Sequence, residues 1–352
     1  MEIKENIPLK DYSAMRVGGP ARFLVHVQSK EDLFEALAFA KDKGLKIHVV
    51  GHGTNTLFTD EGFDGLVIIN RIKGFDILEE NDDGALLIIG AGEDWDDVVE
   101  KSIDMGLSGI EALSMVPGAA GAAPITNIGC YGQEISETLK ELTAYDLENE
   151  ELVLLSNKEC AFRYRGSRFS QEDKDRFIIL NITLQLKKGS MKPPFYKDVE
   201  KYFAEREIED YSPAKIREAL IYIRSHKLPD PAKIGTLGSF FKNPVVSKEE
   251  FEEIEKRVPE INHAKPQWPQ PPRWFLSDGM VKIAAARLIE LVGFDGYEDS
   301  DTGMALWPNQ NLVLVNKGAS SAGDVIAFKN MIKDAVRDKF GVDLEEEVET
   351  VE

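Results

Sequence analysis

The sequence predicts an α+β protein of two or three domains. Its 352 residues exceed the length of one ordinary domain, and 43% hydrophobic with 30% charged residues is typical of a globular chain. Stretches with the two-residue period of strands alternate with stretches of helical period, and glycine-rich connections join them. We therefore expect each domain to bury a core of its own.

The first half begins with a strand, a helix and a second strand. Residues 21–28 have a strand-like pattern, Ser29 is placed to cap a helix, and Gly44 is placed to end it. Further strands are predicted over 45–50, 65–70 and 84–92, a helix over 95–103, a small-residue stretch over 107–133, and paired β segments over 141–156 and 177–187.

The composition changes near residue 190, where two prolines and a glycine separate two periodic regions. We place the main boundary there, which gives a first domain over 1–190 and a second over 191–352. In the second domain Ser212 is placed to cap a helix that has Pro213 at its first position. Helices are also predicted over 248–257, 281–292 and 321–339, and the proline- and tryptophan-rich segment 259–275 is expected to be irregular.

The formal net charge of −20 and the pI near 4.8 disfavour nucleic acid and anionic membranes as partners. Tolerance of salt would be one explanation for such acidity. Cys130 and Cys160 lie in no zinc-binding cluster, and the histidines have no metal-binding spacing, so we predict no metal and a reducing compartment. The N-terminal residues do not resemble a signal peptide, and no run approaches the ~20 apolar residues of a membrane span. We expect a cytoplasmic protein.

The sequence GHGTN, residues 51–55, directly follows a predicted strand. Its backbone N–H groups and the side chains of Thr54 and Asn55 suit a pyrophosphate. A Rossmann fingerprint is excluded because Thr56 stands where a third glycine is needed, and the lack of a following lysine argues against an ATP-type loop. The motif indicates either a dinucleotide held by neutral donors or an ordinary turn.

The segment PGAAGAAPITNIGCYG, residues 117–132, leaves few side chains between the backbone and whatever lies against it. Glycine and alanine allow the main chain to approach a planar ring and to donate hydrogen bonds to its polar edge, as a flavin requires. A tightly packed internal loop is the alternative interpretation.

Four motifs in order, GHGTN, PGAAGAAPITNIGCYG, FRYRGSRF and GSFFKNPVV, resemble those of the UDP-N-acetylenolpyruvoylglucosamine reductase family, in the type with a tyrosine-bearing loop. The resemblance covers nearly the whole chain. It implies a two-subdomain FAD-binding fold of the vanillyl-alcohol oxidase type, split near residue 70, and then an α+β substrate-binding domain whose last strand packs back on the first subdomain. The chain departs from the family at Ala122 and Ala123, where relatives often have serines, and at Glu346, where proline is usual.

The resemblance implies three catalytic residues. Arg165, in FRYRGSRF, would bind the substrate carboxylate, where a fixed cation stabilises the charge that hydride addition creates. Ser239, in GSFFKNPVV, would be the general acid, since the carbanion left by hydride addition is basic enough to take a hydroxyl proton. Glu347, in LEEEV, would be the catalytic glutamate. From the residues alone, a solvated arginine, a serine bonded to its own turn and an acidic tail remain the alternatives.

The resemblance also implies the binding residues. Lys227 ends a local basic group that either holds a diphosphate or forms a solvated face, and this group includes Lys215, Arg217, Arg224 and His226. The substrate would contact Tyr164, Tyr196 on a closing loop, Lys227, Asn243 and Gln310. FAD would contact Gly51, His52, Gly53, Thr54, Asn55, Pro117, Gly118, Gly121, Ala122, Ala123, Asn127, Gly129, Tyr131 and Gly132.

The activity that the resemblance implies is reduction of UDP-N-acetylglucosamine enolpyruvate to UDP-N-acetylmuramate, with FAD as cofactor and NADPH as hydride donor, by a monomer. No second dinucleotide motif is visible, which suits NADPH and substrate using one site in turn. One alternative is another flavin oxidoreductase or oxidase of the same cofactor fold, whose second half should lack GSFFKNP. The other is a non-catalytic flavin- or nucleotide-binding protein, without the functions of Ser239, Arg165 or Glu347.

Overall fold

The computed structural model describes residues 1–258, 271–319 and 321–352, and the chain forms two compact units. The boundary predicted near residue 190 lies inside the first unit, because the helices that follow it bury apolar side chains together with Ala112 of that unit. The assignment of functions to 1–190 and 191–352 stays a prediction. The first unit contains Met1–Ile7, Ala21–Gly53 and Phe63–His226, and the second contains Pro8–Pro20, Thr54–Gly62 and Lys227–Glu352.

Strands occupy much of the described chain. In chain order they are β1 (Ile3–Pro8), β2 (Pro20–Val27), β3 (Lys46–Val50), β4 (Thr56–Phe58), β5 (Phe63–Asn70), β6 (Phe75–Glu80), β7 (Gly84–Gly90), β8 (Leu107–Ser108), β9 (Gly129–Cys130), β10 (Gln133–Glu134), β11 (Leu139–Asp146), β12 (Glu151–Ser156), β13 (Phe177–Lys188), β14 (Gly235–Ser239), β15 (Val245–Val246), β16 (Arg273–Phe275), β17 (Val281–Ile283), β18 (Met304–Trp307), β19 (Gln310–Asn316) and β20 (Glu349–Val351).

Seven α-helices lie within the described ranges, and none of the helices there is long and apolar enough to cross a bilayer. A π-helical turn over Glu290–Phe294 continues the sixth. The helices are α1 (Lys30–Lys43), α2 (Trp95–Asp104), α3 (Lys197–Glu205), α4 (Pro213–Lys227), α5 (Lys248–Arg257), α6 (Ala285–Ile289) and α7 (Ala322–Phe340).

The first unit contains two main sheets. In the four-stranded sheet, of order β1-β2-β5-β3, strand β5 pairs in parallel with β2 and β3 and is buried at seven of its eight residues, as a central parallel strand must be. In the larger sheet, of order β12-β11-β13-β7-β6, the neighbours are antiparallel and β8 adds to β13. Helix α2 buries Trp95, Val98 and Val99 in the core that includes strands of the larger sheet.

The second unit contains two three-stranded antiparallel sheets, of order β14-β19-β18 and β15-β17-β16. Its core combines their apolar residues with those of α5, α6 and α7, and Phe240 and Phe241 are buried in it. The last strand, β20, pairs in parallel with β4. Strand β4 falls early in the sequence but belongs to this second unit.

Most predicted helix boundaries agree with the structure. The Ser29 hydroxyl accepts a hydrogen bond from Asp32 N at 3.1 Å, and Gly44 ends α1 in the left-handed conformation with φ of 62°. Helix α4 begins at Pro213, α5 covers 248–257 as predicted, and α7 is offset by one residue from the predicted 321–339. The predicted strands of the first half also appear.

Two predictions for the second half were wrong in part. The helix predicted over 281–292 begins only at Ala285, because Val281 and Ile283 are buried on one face of β17 between β15 and β16. The end of the segment expected to be irregular, 259–275, contains strand β16, whose backbone pairs with β17. Residues 259–270 of that segment, with His263, lie outside the described residues.

Candidate active site

The glycine motif and the small-residue segment meet in the first unit. A Cβ atom added to Gly51 would lie 2.9 Å from the Cβ of Ala119 and 3.9 Å from that of Ala122, so only glycine permits this approach. A Cβ on Gly121 would lie 2.5 Å from that of Ala91. Ala122, where relatives in the family often have serine, therefore has a side chain that faces Gly51.

The small-residue segment is fixed by backbone hydrogen bonds on one side. Trp95 N donates to Gly118 O at 3.0 Å, Ala120 N donates to Glu93 O at 2.9 Å, and Gly121 N donates to Ala91 O at 2.9 Å. The segment thus lies along the chain that leads from β7 into α2. Its short 3-10 turn, Ala120–Ala122, ends at Ala123, which is buried.

Three buried backbone N–H groups point to a ligand. Gly53, Gly118 and Ala119 are buried, yet within the described ranges their N–H groups donate to no protein acceptor. Buried N–H groups in proteins are almost always hydrogen-bonded, so these three groups need an acceptor from outside the chain, either water or a ligand. The oxygens of a pyrophosphate or the polar edge of a flavin supply acceptors of this kind, and the small side chains leave space for them.

His52 lies in the same loop beside charged groups. Its Nδ1 lies 3.5 Å from a carboxylate oxygen of Asp94, and the Arg71 guanidinium donates to the Gly51 carbonyl at 2.7 Å. Burial and the nearby Arg71 lower the pKa of His52, so this imidazole is neutral at pH 7. Arg71 was missed at the sequence level, where its only signal is a basic residue directly after a buried strand.

The end of the small-residue segment is held by Asn127 and Arg165. The Asn127 amide donates to Glu134 at 2.9 Å and to the Arg163 carbonyl at 3.1 Å, and its oxygen accepts from Ser136 N at 3.2 Å. Its side chain therefore shapes the loop, and the contact predicted for it with FAD stays a prediction. The Arg165 guanidinium donates to the Gly129 carbonyl, so the predicted catalytic arginine lies beside the predicted cofactor loop.

Tyr164 and Arg165 occupy the tip of a tight turn. Arg163 and Gly166 exchange backbone hydrogen bonds of 2.9 and 3.1 Å, and Arg165 between them has a left-handed φ of 48°. The Arg165 guanidinium carbon lies 5.4 Å from the centre of the Tyr164 ring. The turn thus presents the two predicted substrate-binding side chains together.

Tyr131 and Tyr196 also lie together in the first unit. Their rings pack edge to face with centroids 5.3 Å apart, and Tyr196, at the start of α3, is 45% exposed. Burial raises the pKa of Tyr131 to about 12, so its hydroxyl is a stable hydrogen-bond donor. Gly132, which follows, has a positive φ of 89°. The predicted closing-loop tyrosine therefore contacts a residue predicted to bind the cofactor.

The basic group at α4 is largely engaged by protein partners. Arg217 forms a two-armed pair with Asp96 at 2.6 and 3.0 Å, Lys215 pairs with Glu218 at 2.6 Å, and Arg224 donates to the Met115 carbonyl at 3.1 Å. Burial alone would raise the pKa of Asp96, but the hydrogen bonds from Arg217 and from Met115 N lower it. The bonds of Arg217 and Arg224 join α4 to Asp96 of α2 and to Met115 within the first unit.

In the second unit the structure brings Ser239 and Glu347 onto one short ladder. Ser239 ends β14 opposite Val313, and the next residue, Phe240, accepts a hydrogen bond from Glu347 N at 2.9 Å. Phe241 and Glu346 form an antiparallel bridge, and Lys242 N donates to Glu345 O at 2.8 Å. The motif GSFFKN and the acidic tail, which are far apart in sequence, therefore lie side by side.

Asn55 contacts the C-terminal segment at Glu347. Its side-chain amide donates to the Glu347 carbonyl at 3.0 Å, and its own carbonyl accepts from Glu349 N at 3.0 Å. Thr54 and Asn55 are in the second unit, whereas Gly51, His52 and Gly53 are in the first. The side chain predicted to bind a pyrophosphate is thus used to hold the chain at the predicted catalytic glutamate.

The other predicted substrate ligands are spread over the second unit. The Lys227 carbonyl accepts from the Trp307 indole at 3.0 Å, and Trp307 also pairs with Gln310, so these three residues form one group. The Asn243 side-chain oxygen accepts from Ala285 N at 3.0 Å at the start of α6. Trp307 was not predicted, although a tryptophan in a short strand is a detectable signal.

The fold and the close approach of the two small-residue loops suit a cofactor-binding protein, and comparison with known proteins identifies the cofactor as FAD. Residues 21–156 match the family model described as an FAD binding domain, and residues 230–351 match the C-terminal domain of UDP-N-acetylenolpyruvoylglucosamine reductase. The chain belongs to the UDP-N-acetylenolpyruvoylglucosamine reductase family. The predicted fold, an FAD-binding domain of the vanillyl-alcohol oxidase type followed by an α+β domain, is confirmed.

Relatives of that name match over the whole length. The enzyme of Pseudomonas aeruginosa is 37% identical over 99% of this chain and 98% of its own, and that of Flavobacterium johnsoniae is 36% identical over 100% of both. The crystal structure of UDP-N-acetylenolpyruvylglucosamine reductase from Thermus caldophilus has a TM-score of 0.68 and 22% identity over 100% of both chains, which supports the fold.

Proposed function

We propose that this protein is the flavoenzyme that reduces UDP-N-acetylglucosamine enolpyruvate to UDP-N-acetylmuramate with NADPH, a step in making peptidoglycan precursors. Full-length similarity to reductases of this name supports the proposal. The structural observation that carries it is the ladder of Phe240 and Glu347, which brings the serine and the glutamate expected for this chemistry together in a chain that also has an FAD-binding domain.

The cofactor-binding residues would be those around the buried N–H cluster. Gly53, Gly118 and Ala119 would donate to FAD, and Gly51 and Gly121 would keep the loops close enough for them to do so. Bound FAD would supply the redox chemistry, namely hydride transfer from NADPH to the vinyl terminal carbon of the substrate. Tyr131 and Gly132 would line the same loop.

The catalytic residues would handle charge and proton. Arg165 would bind the substrate carboxylate and stabilise the negative charge that develops there, and Glu347 would polarise the intermediate. The Ser239 hydroxyl would protonate the carbon next to the one that received hydride. Tyr164, Tyr196, Lys227, Asn243 and Gln310 would bind the UDP-sugar.

We further propose that the enzyme acts as a monomer in the bacterial cytoplasm, where nucleotide sugars and NADPH are available. A light-scattering mass near 39.3 kDa for the purified protein is the expected result. A mass of twice that value or more would contradict the proposed monomeric state and would leave the proposed reaction unaffected.

Anaerobic flavin spectroscopy tests the reaction in two stages. NADPH should bleach the flavin absorbance, and the colour should return when UDP-N-acetylglucosamine enolpyruvate is added. A protein that binds no FAD, or whose reduced flavin is unchanged by the substrate, would overturn the proposal. Rapid recovery in air without substrate would instead favour an oxidase.

Ser239→Ala separates the two stages. Because the serine acts only as proton donor to the substrate, bleaching by NADPH should stay within about twofold of wild type, and recovery should slow by about 100-fold or more. Ser277→Ala, at an exposed serine of the same unit, is the control and should leave both rates unchanged. Equal recovery in Ser239→Ala and wild type would remove Ser239 from this role.

A further inference from the structure

Two lysines of α7 converge on the residue that precedes Glu347. The Nζ atoms of Lys329 and Lys333 lie 2.6 and 2.9 Å from the two carboxylate oxygens of Glu346. The lysines are four residues apart and therefore project from the same face of the helix. Each carboxylate oxygen of Glu346 therefore accepts from its own lysine ammonium group.

This ion group is partly buried, which distinguishes it from an ordinary surface pair. Lys329 is only 7% exposed as a residue, and its ammonium nitrogen also lies 5.9 Å from the centre of the buried Phe240 ring. Burial alone would raise the pKa of Glu346, but the hydrogen bonds from Lys329 and Lys333 lower it, so the carboxylate stays ionised at neutral pH. A buried ammonium that loses its carboxylate is costly, so the pair is held together.

The ion group adjoins a short pairing between the GSFFKN motif and the C-terminal segment. Between Phe240–Lys242 and Glu345–Glu347 the described structure has a single bridge, Phe241 with Glu346, and two flanking backbone hydrogen bonds. Few backbone hydrogen bonds hold this register, and a slip of one residue would turn every side chain to the opposite face. A slip here would turn the Glu347 carboxylate away from its present side of the strand.

Anchors on both sides of Glu347 oppose such a slip. After Glu347 the chain is held by Asn55, which bonds the Glu347 carbonyl and Glu349 N, and by the pairing of β20 with β4. Before Glu347 the side-chain anchors are Glu346 between the two lysines of α7 and, at the exposed side, Glu345, whose carboxylate accepts from Lys242 Nζ. Within the described residues, the Glu346 carboxylate joins the terminal segment to α7.

We propose that Lys329, Lys333 and Glu346 form an ion clamp that fixes the register of Glu347 against Phe240, the residue after Ser239, for the substrate half of the reaction. The clamp members are positioning residues, since they act through the register of the terminal strand. The inference rests on the proposed function, because it assumes that Glu347 and Ser239 act on the substrate.

If the ion clamp positions Glu347, disrupting it should slow flavin recovery with substrate and not flavin reduction by NADPH. In Glu346→Gln, flavin bleaching by NADPH should stay within about twofold of wild type, because no cofactor-binding residue is changed. The limiting rate of flavin recovery with substrate should fall by about 10-fold or more, since small misplacements of a catalytic group are enough for such losses. The substrate concentration for half-maximal recovery should change by less than about threefold if the UDP-sugar contacts are intact.

Further variants keep the test informative. Glu346→Asp retains the charge and should recover most of the lost rate, whereas a role in packing volume alone would not be rescued by charge. Lys333→Met removes only the more exposed of the two lysines that contact Glu346, so it should give a smaller loss of the same kind. It provides the test if Glu346→Gln fails to fold. Glu253→Gln removes the carboxylate of an exposed ion pair in the same unit and should match wild type.

The outcomes separate this inference from the proposed function. If wild type cycles with NADPH and substrate but folded Glu346→Gln and Lys333→Met recover as fast as wild type, the clamp is wrong and the function stands. Equal slowing of both half-reactions would also overturn the clamp, since it indicates a general structural effect. If wild type itself does not cycle, the proposed function fails first.

Discussion

At the scale of single residues, Asp146 shows how one carboxylate closes a hairpin. It ends β11 and accepts hydrogen bonds from two backbone N–H groups and from the Arg176 guanidinium, at 3.0 and 2.7 Å for the latter. The hydrogen bond from Arg176 is the main cause that lowers the pKa of Asp146 to about 2.

This low pKa predicts a stability that depends on pH. Because the folded pKa lies below the unfolded value of about 4, the contribution is fully present above pH 4 and is lost as the pH falls toward 2. Asp146→Asn should lower the free energy of unfolding at pH 7 by about 1–2 kcal/mol, with the difference shrinking toward pH 2. Urea unfolding at several pH values measures this.

The exposed carboxylate of Asp82 provides the comparison. Asp82→Asn should change the free energy of unfolding by less than about 0.5 kcal/mol at every pH. A difference between Asp146→Asn and wild type that is constant from pH 7 to pH 2 would show that Asp146 acts through packing and not through its charge.

The identities of the site residues could be predicted better than their partners. The small residues around Gly118 and Ala119 indicated a close backbone approach, but the unpaired N–H groups there become visible only when the chain is folded. Glu346 stood out in sequence only as a replacement for proline, and its lysines lie 13 and 17 residues earlier, on a helix whose orientation the pattern does not give.

At the scale of elements, the N-terminus of α7 is held by a residue from a distant loop. The Asp60 carboxylate accepts from Ala322 N at 2.7 Å and from Gly323 N at 2.8 Å, and Ser321 caps the same end through a bond with Asp324 N. An anion at a helix N-terminus satisfies free N–H groups and interacts favourably with the helix dipole.

Asp60→Ala should therefore destabilise the second unit. The expected loss in the free energy of unfolding is about 1–2 kcal/mol, the range of an N-terminal cap. Glu61→Ala, at an exposed neighbouring acid, should cost less than about 0.5 kcal/mol. Chemical denaturation measures both, and equal stability of Asp60→Ala and wild type would contradict a capping role.

Local signals explain which elements could be predicted. Helices with a Ser or Pro at the start and a Gly at the end, such as α1, were placed within a residue or two because their termini depend on neighbouring residues. Strand β17 was mistaken for helix because Val281 continues the helical spacing of Ala285 and Leu288, and its pairing with β15 and β16 depends on residues more than five positions away.

At the scale of the whole molecule, the net charge of −20 predicts a dependence of stability on salt. Repulsion among like charges destabilises the compact state, and salt screens it over a Debye length of about 10 Å at 0.1 M. Raising NaCl from about 10 mM to about 300 mM should increase the Tm by a few degrees.

KCl at the same ionic strength should have the same effect, because screening does not distinguish the two cations. Differential scanning fluorimetry with both salts measures it. A Tm that falls as salt rises would show that the ion pairs, such as Arg217 with Asp96, outweigh the general repulsion.

The division of the chain into units was the least predictable feature of the fold. Composition alone placed a boundary near residue 190, yet the contacts of α3 and α4 extend the first unit to His226. The segments 8–20 and 54–62 carry no composition signal that links them to the C-terminal residues, because that link consists of long-range pairings such as β4 with β20.

The late partner of β4 has a consequence for synthesis on the ribosome. Residues 54–62 emerge early, but β20 is translated some 290 residues later, which at rates of roughly 5–20 residues per second means a delay of roughly 15 to 60 s. During that interval the apolar side chains of Leu57 and Phe58, both buried in the finished protein, stay without their final neighbours. Chaperones that shield nascent chains are expected to bind there until translation ends.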